Sequence, residues 1–74
     1  GEAENLLMRA ELMLEIRKAS KGLTQSEAAR KFGVTQPRMN DLLRGRIEKF
    51  SLDALVNMLG KAGLRVGVQI RKAA

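Results

Sequence analysis

The stretch from Leu23 to Gly45 constrains the fold more than any other part of the chain, because it carries two helix starts with a glycine between them. Thr24 and Glu27 have the spacing of a capping box. The Thr24 hydroxyl can accept from the Glu27 amide while the Glu27 carboxylate accepts from the Thr24 amide, so a helix is expected from Gln25. Gly33 stops it, since glycine takes the backbone reversal without a Cβ clash. Val34 follows as an apolar plug, and Thr35 caps a second helix. Pro37 fits there because a first-turn residue has no intrahelical amide bond to lose. Ala28, Ala29 and Phe32 supply the inward face of the first helix and Met39, Leu42 and Leu43 that of the second. Gln36, Arg38, Asn40, Asp41 and Arg44 are left outside, and Gly45 ends the run. Residues 25–44 are thus expected to form two short helices meeting at a corner, with Ala29 small enough to let the second approach the first.

The remaining segments read as support for that corner. Glu2 to Ser20 contains no Gly or Pro and is rich in good helix formers, which predicts a first helix over 2–21 stopped by Gly22. Leu6, Ala10, Met13 and Arg17, with Leu7 and Leu14 beside them, are expected to form its apolar stripe. Glu2 and Glu4 stand at the start of this helix and Arg17, Lys18 and Lys21 near its end, as the helix dipole favours. Arg46 to Phe50 is expected to be a loop with basic ends, and Ser51 to cap a fourth helix over 51–62 whose first turn holds Asp53. Leu52, Leu55, Val56 and Leu59 are its expected inner face, and Phe50 and Leu55 have the spacing of a hydrophobic staple. Met13, Met39 and Met58 are expected in the core.

Beyond Gly60 and Gly63 the period changes. Leu64, Val66, Val68 and Ile70 alternate with Arg65, Gly67, Gln69 and Arg71, the two-residue repeat of a strand over 64–71 with one buried face. A lone strand leaves its backbone groups unpaired, and the same strand of a second copy is the simplest partner. The expectation is therefore a mainly α, single-domain fold of four to five helices over 1–74, with one C-terminal strand pairing across a homodimer through Leu64, Val66, Val68 and Ile70.

Composition narrows the function classes. A chain of 74 residues buries only about 60% of the surface its extended form exposes. It has no Cys and no His, so disulfides, thiolate zinc sites and His-based catalysis are excluded. Its carboxylates lie along helix faces or at caps, so no enzyme and no cofactor is expected. Fourteen Lys and Arg against 8 Asp and Glu give a formal charge of +6, which points to a polyanionic partner. No apolar run is long enough to span a membrane and no secretory signal opens the chain, which suggests a cytoplasmic protein. Gly1 stands where a natural chain has Met, so natural residues are expected before it.

The small or apolar residues Ala28, Ala29, Phe32, Val34, Met39 and Leu42, with Gly33 at the turn, resemble the helix-turn-helix of the lambda-repressor-like, Xre-type regulators over about residues 23–62. In that family the N-terminal part of the second helix of the motif enters the major groove. Carried over by position, the resemblance makes Gln36, Arg38, Asn40 and Asp41 candidates for base contact. Arg38 can donate two bonds to guanine O6 and N7, Gln36 or Asn40 can pair with adenine, and Asp41 can accept from cytosine or orient Arg38. Pro37 departs from the polar residue many relatives carry and offers at most a contact to a thymine methyl. Thr24, Gln25, Thr35, Arg44, Arg46 and Lys49 suit phosphates, through helix N-termini and flanking cations.

The run from Leu23 to Leu59, followed by LRVGVQIRK, is similar to a subfamily of small regulators, many of them antitoxins paired with toxins of the host-inhibition-of-growth or RelE-like kind. The resemblance implies a dimeric autorepressor acting on an inverted-repeat operator, with a toxin as a possible protein partner. A stand-alone or phage-derived repressor without a toxin partner is the first alternative. A protein-interaction module whose basic face meets an acidic protein is the second.

Overall fold

The computed structural model describes residues 2–64. They form α1 (Glu2–Ala19), α2 (Gln25–Phe32), α3 (Gln36–Leu43), one 3-10 turn (Ile47–Lys49) and α4 (Leu52–Lys61). No strand occurs among the described residues, and Val66, Val68 and Ile70 of the expected dimer strand lie outside them. Leu64 lies within them and is more than a third exposed. Its amide bonds to the Leu59 carbonyl at 3.0 Å, closing the end of α4 together with the Gly63 amide, which donates to Gly60.

The core is one cluster in which Ile16, Phe32, Met39, Leu42, Phe50 and Leu55 are essentially fully buried. α1 packs against α4 and the 3-10 turn, while α2 packs against α3 and α4. Phe50, just before the Ser51 cap, and Leu55 both reach this core, so the staple positions are occupied as their spacing predicts. The three methionines expected inside, Met13, Met39 and Met58, are all buried.

α1 forms where expected but with a different rotation. Its buried residues are Leu12, Met13, Ile16 and, just past its end, Ser20. Of the stripe expected to face inward only Met13 does so. Leu6, Leu7 and Leu14 are 47%, 62% and 50% exposed, and Ala10 and Arg17 also face out. A helix of good formers satisfies its own backbone at any rotation, so the tertiary contacts set the angle. Here Arg9 supplies one of them, its Nη1 donating to the carbonyls of Ile47 and Phe50, each at 3.3 Å.

In α4 one residue of the expected inner face turns outward. Leu55, Met58 and Leu59 are buried and Leu52 half-buried, but Val56 is 41% exposed, because it stands about 100° around the helix from Leu55.

The turn between α2 and α3 sets their angle. Gly33 has φ 69°, and its amide donates to Arg30 while the Val34 amide donates to Ala29 at 2.9 Å, tucking the half-buried Val34 against the core. A side chain at Gly33 would also have to displace the Lys61 stem, whose Cδ lies 2.5 Å from where a Cβ would stand.

Candidate nucleic-acid interface

The geometry of this face begins with its caps. The Thr24 amide donates to Glu27 Oε1 at 2.8 Å and the Glu27 amide to Thr24 Oγ1 at 3.1 Å, which completes the expected box. These bonds to Thr24, helped by the charge of Arg30, hold the Glu27 carboxyl below its usual pKa. Thr35 caps α3 in turn, its Oγ1 accepting from the Arg38 amide at 3.4 Å.

Gln25 ties the two helix starts together. Its side-chain amide donates to the Gln36 carbonyl at 2.8 Å, so the first residue of α2 holds the first residue of α3. The result is a fixed, solvent-facing start to α3 in which Gln36, Pro37 and Arg38 are all exposed. Asn40 and Asp41 are half-buried one turn further on, above the buried Met39 and Leu42.

The charged side chains are not independent. Asp41 Oδ1 lies 3.4 Å from Arg46 Nη1, and Asp41 Oδ2 lies 3.7 Å from Lys49 Nζ. Gly45 makes the first of these pairs possible. At φ 73° it reverses the chain after α3, and the Arg46 amide then donates to the Asp41 carbonyl at 3.1 Å. Asp41 therefore faces two of the three cations read as phosphate ligands, rather than Arg38, and Arg44 is exposed at the end of α3.

Arg38 has another neighbour, its guanidinium carbon lying 4.6 Å from the centroid of the Phe50 ring. In the sequence Phe50 stands out only as a staple residue, and Arg9 is not among the expected site residues. A signal for Arg9 was present. It falls four residues before Met13 and seven before Ile16, on the buried side of the helix.

Among the described residues no group of acidic side chains is placed to hold a metal ion, and no helix is long and apolar enough to cross a membrane.

Two short helices locked across a glycine turn, the second presenting a capped and exposed first turn beside a basic loop, are the arrangement of a helix-turn-helix domain. The chain belongs to that family: the family model described as a helix-turn-helix domain matches residues 1–71. The membership marks a DNA-binding regulator whose partner is double-stranded DNA. No curated protein matches the chain.

Proposed function

We propose that the protein is a sequence-specific transcriptional regulator of the Xre type, a cytoplasmic homodimer that represses its own operon at an inverted repeat and serves as the antitoxin to a toxin encoded beside it. The DNA-reading part of this proposal is supported best by the bond from Gln25 to the Gln36 carbonyl, while the dimer, the autorepression and the antitoxin role rest on the resemblance of the sequence. That bond fixes the exposed first turn of α3 against α2 before any DNA arrives, and a side chain held in advance loses less freedom on binding. In this reading Gln36, Arg38 and Asn40 meet base edges, with Pro37 and Asp41 at the margin of the contact. Thr24, Gln25, Thr35, Arg44, Arg46 and Lys49 hold phosphates. If about five phosphates are neutralised per subunit, a dimer shows a log-log salt slope of about −9.

Selection of bound sites from a random DNA pool tests the reading. The expected product is an inverted repeat. Arg38→Ala should relax one or two base positions at a cost of ~1–3 kcal/mol, whereas Arg46→Ala should weaken binding to all sequences alike. A pool that shows no sequence preference would overturn it. The dimer is tested by ending the chain at Gly63, which should leave a monomer in sedimentation. The antitoxin role requires that co-expression relieve the growth arrest caused by the neighbouring reading frame.

A further inference from the structure

We propose that Phe50 is a positioning residue for base reading, a platform whose ring holds Arg38 ready for guanine. The proposal rests on the DNA-binding reading above and adds a residue to it that lies outside the helix-turn-helix segment.

Phe50 is 1% exposed although it sits in a surface connection between the 3-10 turn and α4. Most of its ring is covered by the core, and the Arg38 guanidinium stands over the ring at 4.6 Å from the centroid. The backbone that carries the ring is held from two sides. The Phe50 amide donates to the Ile47 carbonyl at 3.2 Å, and its own carbonyl accepts from Arg9 of α1 at 3.3 Å. The ring is thus a fixed surface, and the exposed side chain of Arg38 lies over it.

This contact does not use up the chemistry that Arg38 needs. A guanidinium that rests on an aromatic ring is attracted through its charge and its flat face, while its N–H groups point outward in its own plane. Two of them remain free to donate together to guanine O6 and N7. An arginine free in solvent must give up several rotamers to make that pair, and one already held on a ring gives up fewer. The role expected of Asp41, to orient Arg38, falls instead to Phe50, because the Asp41 carboxylate is turned toward Arg46 and Lys49. The gain applies to guanine at one position of the site and not to phosphate contacts elsewhere, so Phe50 sets selectivity.

The experiment compares full-length wild type, Phe50→Leu and Phe50→Tyr on the selected operator and on an operator whose guanine at the Arg38-dependent position is replaced. Phe50→Leu should lower the discrimination ratio about two- to ten-fold, the range for ordering one rotamer-rich side chain on binding. Phe50→Tyr, which keeps the ring face, should preserve the ratio, and Phe50→Leu should change nothing further when added to Arg38→Ala. A ratio unaffected by Phe50→Leu, or a loss that persists in full without Arg38, would overturn the proposal. If Phe50→Leu does not fold, the wild-type protein free of DNA decides by NMR: ring-current shifts of the Arg38 side-chain protons support the platform, and unshifted protons overturn it. Failure of the wild type to prefer any sequence would instead count against the DNA reading.

Discussion

Replacing Asp41 with Asn should make the protein less stable and better at binding DNA of any sequence. Asp41 is 21% exposed at its side chain and faces Arg46 and Lys49, which are 42% and 48% exposed, at 3.4 and 3.7 Å. Pairs whose cations stand half in water are worth about 0.3–0.5 kcal/mol each, so losing both costs about 0.5–1 kcal/mol. For a domain of this size that lowers the melting temperature by roughly 3–6 °C. On DNA the sign reverses. The same two cations no longer share their charge with a carboxylate, and one fewer negative group faces the phosphates. Each phosphate newly neutralised steepens the log-log salt slope by ~0.9. Thermal unfolding and titration of a non-operator duplex, both over a range of salt, measure the two effects without involving base reading. The stability loss should shrink toward ~1 M salt, where the Debye length is about 3 Å. A loss of the same size at all salt concentrations, or non-operator binding no tighter than wild type, would refute the account of Asp41.

Two further predictions separate local from tertiary contributions. Leu7→Gln should change unfolding free energy by no more than ~0.5 kcal/mol and Ile16→Ala should cost ~2–5 kcal/mol in urea denaturation, because Leu7 is 62% exposed and Ile16 is fully buried. The Glu27 carboxyl has its pKa lowered from 4.5, so the stability that its charged form adds is present above about that value and disappears as the pH falls through the lowered one. The difference in melting temperature between wild type and Glu27→Gln should accordingly be present at neutral pH and vanish in strong acid.

The caps of α2, α3 and α4 were legible because each is decided by groups only a few residues apart. Thr24 with Glu27, Thr35 with Arg38, Ser51 with Ala54 and the glycine stops at Gly33 and Gly45 all close hydrogen bonds along the local chain. The same locality made the exposed start of α3 visible as a candidate reading surface. For α1 the sequence carries two overlapping apolar stripes. One runs through Leu7, Ala10 and Leu14, the other through Arg9, Leu12, Met13, Ile16 and Ser20, and helix formation is indifferent between them.

By itself, then, the sequence determined the helices, their order, the corner between α2 and α3 and the basic character of the chain, since these follow from bonds and spacings within a turn or two. Tertiary structure alone decided which side of α1 is buried and that Arg38 rests on Phe50. The bonds from Arg9 to Ile47 and Phe50 join residues 38 and 41 positions apart. Such contacts exist only once the loop between them has closed, and no spacing within the sequence selects them in advance.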